Sequence, residues 1–200
     1  MNVGILIFDD VELLDMAGPY EVFTTAARVQ ARGLAAGTPP CFRVITIARN
    51  TGSVRARAGL RLQPDHPLQD HPPLDIAIVP GGVVDAELGQ PVLPAWIAAQ
   101  AGRVRILASV CTGALLLAQA GVLDGLEATT HWEDLAALRT LRPAVTVREG
   151  HRWVDAGAIV TSAGIAAGID MSLHLVQRLQ GRELALRTAR QMEFDWTPAA

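Results

Sequence analysis

Four short runs of nearly uninterrupted apolar residues recur along the chain, at Val3 to Phe8, Phe42 to Ala48, Asp75 to Val79 and Val104 to Val110. Each is too short for an ordinary helix and lacks the polar alternation of a half-solvated strand. Each therefore reads as a strand buried on both faces. Between them lie segments of helical character. Pro19 stands in the first turn of one that runs through Gln30, Pro94 to Ala101 is a second, and Thr112 to Ala120, stopped by Gly121, is a third. Strand alternating with helix is the pattern of a doubly wound, mostly parallel α/β sheet with helices on both faces. Such sheets bind ligands beyond the carboxyl ends of their strands, which selects the loops worth reading closely.

The remaining segments fill in this plan. SVRARAGLRLQ reads as a hairpin about Ala58-Gly59, and Gly33 to Pro40 and Pro64 to Pro73 read as loops, with His66 and His71 solvated in the second. A short helix from Glu133 to Leu138, a strand from Val145 to Arg148, a hairpin turn near Gly150 and a strand ending at Thr161 follow. From Ile165, apolar residues at 165, 169, 173, 176 and 179 give a final helix one core-facing stripe, and His174 is placed to pair with Asp170 one turn before it.

With 200 residues, half of them apolar and 18% charged, the chain is expected to be one domain over 1–200 that needs neither metal nor disulfide to hold its core. No stretch approaches the roughly 20 apolar residues of a membrane span. The first ten residues lack a basic region and a small-residue cleavage site, so no signal peptide is expected. All 17 cationic residues are arginine, scattered rather than striped, and the net charge is -3. Charge thus argues against a nucleic-acid partner, and the lack of lysine excludes Schiff-base chemistry. Two cysteines in unrelated contexts, Cys41 and Cys111, fit a cytoplasmic protein with free thiols.

Three strand ends carry unusual residues. In Ser109-Val110-Cys111-Thr112-Gly113 a buried strand turns directly into a helix. A cysteine at such a turn is pushed out at the helix N-terminus, where backbone N–H groups bias it toward thiolate. Pro80-Gly81-Gly82 ends another strand and is either simply a tight loop or a source of exposed N–H groups that, with that of Thr112, complete an oxyanion hole. After the first strand, Asp15 sits among apolar residues while Asp9, Asp10 and Glu12 look solvated. Asp15 is either an acid with a raised pKa, suited to carrying protons, or a cap for the helix that begins near Pro19. His131, in Thr129-Thr130-His131-Trp132, is the histidine set in a site-like loop, and Gly164 lies in a small-residue segment that admits a ligand or lets helix and sheet pack closely. No grouping suggests a metal.

Taken in order, LLDMAGPYEVF, DIAIVPGG, SVCTGALLLAQAGVLDG, ATTHW and SAGIAAGIDMSLHLV resemble the ThiJ/PfpI family of the class I glutamine amidotransferase-like superfamily, over about residues 2 to 192. The resemblance implies a flavodoxin-like sandwich, a homodimer and a small-molecule substrate. It carries Cys111 over as nucleophile at a strained elbow and Asp15 as its acidic partner. SVCTG with LLDMAGP and ATTHW looks most like members that hydrate isonitriles to N-substituted formamides without a cofactor, where Thr112 would orient the intermediate through its N–H and hydroxyl. The same motifs are equally similar to sensing domains that precede helix-turn-helix pairs in AraC-type regulators. The expectation is that no such DNA-binding module is appended here, since the chain ends at Ala200. Protease-like members have His where Thr112 stands, and deglycase-type members usually have Glu where Asp15 stands, which lowers peptidase, glyoxalase and deglycase activities.

Overall fold

The computed structural model describes residues 1–35 and 37–196. In chain order the elements are β1 (Asn2–Leu6), α1 (Leu13–Ala31), β2 (Arg43–Ala48), β3 (Val54–Arg55), β4 (Arg61–Leu62), β5 (His66–Pro67), β6 (Ile76–Val79), α2 (Asp85–Leu88), α3 (Val92–Ala101), β7 (Ile106–Val110) and α4 (Gly113–Gln119). Then come β8 (Glu127–Ala128), α5 (Leu135–Leu141), β9 (Thr146–Val147), β10 (Trp153–Asp155), β11 (Ile159–Ser162), α6 (Ala167–Gln180) and α7 (Arg182–Gln191). The main sheet has the order β10-β11-β7-β6-β1-β2-β5 and is parallel throughout, except that β10 pairs antiparallel to β11.

Alternate residues of each central strand feed opposite layers. Ile5, Ile76, Ile78 and Ile106 pack with Val22, Phe23, Leu173 and Val176 under α1 and α6. Leu6, Ala77, Val79 and Leu107 pack with Ile97, Leu116 and Leu138 under α3, α4 and α5. Both faces are covered, which is why β6 is apolar at every position and β1, β2 and β7 nearly so. Each fully buried aliphatic side chain of this kind stabilises the fold by about 1.5–3 kcal/mol.

Several boundaries differ from those read in the sequence. Helix α1 begins six residues before Pro19, which lies inside it. Residues 66 and 67 form an edge strand on β2, and His71 is half-buried with its Nε2 accepting from Trp96 Nε1 at 3.2 Å, so neither histidine is simply solvated in a loop. The second hairpin turns at Gly157, whose φ is 87°, not at Gly150, because β9 pairs with β8 and leaves β10 to pair with β11. His174 bonds Asp155 at 2.6 Å, while Asp170 is taken by Arg152. Helix α7 had no counterpart in the sequence reading. No helix among the described residues is long and apolar enough to cross a membrane.

Candidate active site

At the carboxyl end of β7 the chain enters α4 through Cys111, whose φ of 57° is left-handed. A side chain in that region costs roughly 1–2 kcal/mol and persists only where its surroundings fix it. Here they do. The Cys111 N–H points at the carbonyls of Ser162 and Ala163, at 3.2 and 3.3 Å. Its carbonyl accepts from Ala114 N–H at 3.2 Å and from the buried Thr130 hydroxyl at 2.8 Å. Gly113 lies so close to the Val79 and Pro80 carbonyls that any β-carbon there would collide with them.

Asp15 reaches the elbow from the first turn of α1 and is completely buried. It caps nothing, which resolves the choice left open by the sequence. Its Oδ2 accepts the Gly81 N–H at 3.1 Å, and its Oδ1 has no well-aligned partner among the described residues. The Cys111 thiol and the Ile165 N–H lie close enough to influence the carboxyl. Burial dominates all of these and pushes the Asp15 pKa up from 3.8 to about 7. Burial, and after it the charge of Asp15, pushes the Cys111 thiol up to about 12, against the weaker pull of the Thr112 and Ile165 N–H groups. Burial thus opposes the bias toward thiolate expected at a helix N-terminus. The short α4 offers only seven residues of dipole, and desolvation outweighs it. Near neutrality the pair is a thiol beside a carboxyl that is exchanging its own proton.

The glycines also act differently from the oxyanion hole expected of them. Gly81 gives its N–H to Asp15, and the Gly82 N–H is bound by Thr112 Oγ1 at 2.9 Å. That hydroxyl in turn donates to the Gly82 carbonyl, also at 2.9 Å, so the Thr112 side chain is committed to the loop and not free to orient a ligand. A β-carbon on Gly81 would stand 2.5 Å from Thr112 Oγ1 and 2.9 Å from Asp15 Oδ2, so Gly81 is what lets acid and elbow meet. The donors facing Sγ are the main-chain N–H groups of Thr112 and Ile165. Ile165 is the residue the sequence reading missed. It was placed in a core stripe, yet it is 40% exposed with a φ of 51°, a strained value for a β-branched residue. The glycine before it and the small residues after it are the signal that could have marked the bend.

Cys111 opens into a cavity of about 780 Å³. Its walls include Gly82, Val84, Leu115, His131 and Ala137, with carboxylates and Arg57 at the rim. Gly164 does not line the cavity; its backbone supports the His131 ring, and a β-carbon there would collide with Cδ2. Cys41 is remote from this site and half-buried at the start of β2.

Comparison with known proteins places this arrangement. The model of the DJ-1/PfpI family matches residues 1–178. Isonitrile hydratase of Pseudomonas putida is 36% identical over 99% of this chain and 80% of its own length. The HTH-type transcriptional regulator GbdR of Pseudomonas aeruginosa is 34% identical over 97% of this chain, which spans about half (51%) of that regulator. The crystal structure of a ThiJ/PfpI family protein from Pseudomonas syringae superposes with a TM-score of 0.83 at 26% identity, over all of this chain and 77% of that one.

Proposed function

The chain belongs to the DJ-1/PfpI family, and on that premise we propose that it is a cysteine-dependent hydratase that converts isonitriles to N-substituted formamides. The observation that carries the reading is a thiol on a left-handed elbow, beside a fully buried carboxyl whose pKa lies near 7, opening into a cavity of mixed apolar and polar lining. An isonitrile carbon must receive a nucleophile and a proton, and this pair supplies both. Ionised Asp15 takes the thiol proton as Sγ bonds to the terminal carbon, and then delivers that proton to the same carbon, giving a thioimidate. One proton thus travels from sulfur to carbon by way of Asp15. Asp15, ionised again, activates the water that hydrolyses the thioimidate. The Thr112 and Ile165 N–H groups steady the sulfur as it gains charge and later as it leaves. No step calls for a metal or an organic cofactor. The similarity to isonitrile hydratase supports the choice of substrate.

A second reading is a small-molecule sensing domain. It is favoured by the likeness to GbdR and by a thiol held protonated at rest. Turnover separates the two. Purified protein with cyclohexyl or aryl isonitriles is expected to release the formamide, and Cys111→Ala is expected to be inert. Wild-type protein inactive on several isonitriles, yet binding them, would replace the enzyme by the sensor.

A further inference from the structure

Hydration of an isonitrile leaves one atom for which the Cys111–Asp15 pair provides no proton, the nitrogen that ends as the formamide N–H. We infer that His131 is its donor, protonating the thioimidate nitrogen from Nε2 while water adds to the neighbouring carbon. The inference rests on the hydratase reading.

Two chain segments hold the His131 ring near Cys111. The residue before it, Thr130, donates its hydroxyl to the Cys111 carbonyl at 2.8 Å. On the other side the ring lies on Gly164, with Nε2 3.1 Å from where a β-carbon would be, and the next residue, Ile165, turns its N–H toward Sγ. The ring lines the same cavity as Cys111, Thr112 and Ile165. Its two nitrogens are in different situations. Nδ1 faces the protein, 3.4 Å from the Glu133 N–H, 3.5 Å from Asp134 Oδ2 and 3.6 Å from Glu133 Oε2. The Glu133 N–H favours the neutral tautomer with its proton on Nε2, and once the imidazolium has given up its Nε2 proton, the one that stays on Nδ1 is held by Asp134 and Glu133. When the ring carries both protons, the two carboxylates compensate its charge. Nε2 has no partner among the described residues, so it is open to a ligand. The other ionisable residues of the cavity wall are carboxylates, Arg57 and the Cys111 nucleophile itself. Arginine does not give up its proton, and free carboxylates act as acceptors near neutrality, whereas histidine exchanges there.

The proton balance then closes without an outside donor. Starting from R–N=CH–S–Cys111, the water oxygen bonds to carbon, Asp15 takes one water proton, and the C=N π pair collects the Nε2 proton at nitrogen. As the tetrahedral adduct collapses, the C–S bond breaks and sulfur takes the proton back from Asp15. The new hydroxyl returns a proton to His131 and becomes the formamide carbonyl. Thiol, carboxylate and imidazolium are all restored.

The test separates formation of the covalent intermediate from its release. His131→Asn keeps a short acceptor for the Glu133 N–H, the capping role of Nδ1, but removes Nε2. Intact-protein mass spectra are followed after rapid mixing with cyclohexyl isonitrile. In His131→Asn, an adduct of one isonitrile on Cys111 is expected to form within about twofold of the wild-type rate. Its release is expected to slow on the order of a hundredfold, the usual worth of a positioned general acid. The adduct then accumulates, and kcat and KM fall together. His131→Gln, which keeps an amide N–H near the Nε2 position, should fall between the two proteins and carries the same readout if His131→Asn does not fold. An adduct that formed and decayed together at reduced rates, or wild-type turnover in both variants, would overturn the inference while leaving the hydratase reading intact. Wild-type protein giving neither adduct nor formamide would sink that reading, and this inference with it.

Discussion

Replacing Asp15 by asparagine tests the burial argument without any substrate. The carboxyl titrates near 7 in the folded protein and near 3.8 when exposed. Its folded pKa is raised, so its contribution favours the fold at low pH and is lost as pH rises toward 7. Between about pH 5 and about pH 8 the wild-type protein should lose on the order of 2 to 3 kcal/mol of stability from this one group. The full penalty of the buried carboxylate above neutrality is about 4 kcal/mol, a large share of the 5–15 kcal/mol typical of a domain. Asparagine keeps an oxygen for the Gly81 N–H and places its NH₂ where Oδ1 has no aligned partner, so it removes the titration with little change of shape. Other perturbed carboxyls fall outside this window. Asp124 and Glu127 are held below the usual range by hydrogen bonds from Arg142 and Arg148, and every group other than Asp15 is common to both proteins and cancels in the difference. Urea unfolding at a single protein concentration across this pH range is the assay. The wild-type free energy should decline with pH, and that of Asp15→Asn should run flatter by on the order of 2 to 3 kcal/mol. Equal slopes in the two proteins would mean that Asp15 is ionised cheaply in the fold, and the account of the site would fail.

Three further outcomes follow from the same geometry. Gly164→Ala should displace the His131 ring, because its β-carbon collides with Cδ2, and so cause the Cys111 adduct to accumulate as in His131→Asn; normal release would refute the packing argument. Asp15→Asn removes the charge that, after burial, most raises the Cys111 thiol, so iodoacetamide should label Cys111 about tenfold faster, one pKa's worth of thiolate, with Cys41 unchanged; an unaltered rate would show that the charge does not reach the sulfur. Leu14 and Ile165, 39% and 40% exposed beside Asp15 and Gly164, leave apolar surface at the site's edge. We expect a second copy to cover it, so that sedimentation at micromolar concentration gives twice the 21.3 kDa chain mass, whereas a monomer throughout a hundredfold dilution would exclude the pairing.

What was legible in the sequence was whatever depends on local pattern. The buried strands β1, β2, β6 and β7 announce themselves because both faces are covered, and Cys111 is exposed as special by a strand that becomes a helix with no loop between. Edge strand β5 was hidden, since His66 and Pro67 pair only because β2 offers them an open edge. Helix α7 was hidden because its buried side is made of Leu184, Ala185, Thr188 and Ala189, too small and mixed to stand out among four charged residues. The site was half legible for a related reason. Asp15 is an ordinary acid until the fold takes all water from it, and Gly81 looks like an open donor until its N–H is found on that same acid. The left-handed turn at Ile165 is a backbone conformation that an isoleucine does not advertise.

Stability and reactivity in this protein are tied to one proton. Asp15 must be ionised to take the proton of a thiol that is otherwise held up to about 12, so kcat/KM for an isonitrile should rise with pH through the Asp15 titration near 7 and level off above it. The same ionisation puts an unhydrated carboxylate inside α1, so the loss of stability that begins near the unfolded pKa should stop growing at the pH where the rate reaches its midpoint. The elbow can bear this because it is over-determined, with Ser162, Ala163, Ala114 and Thr130 all bonded to the Cys111 main chain. The comparison needs only a pH–rate profile and a pH–stability profile in matched buffers. A rate midpoint that agrees, within about one pH unit, with the pH at which stability stops falling supports one proton serving both. A rate profile that lost its pH dependence in His131→Gln but kept it in the residual activity of Asp15→Asn would assign the limiting proton to the imidazole and remove Asp15 from the base role.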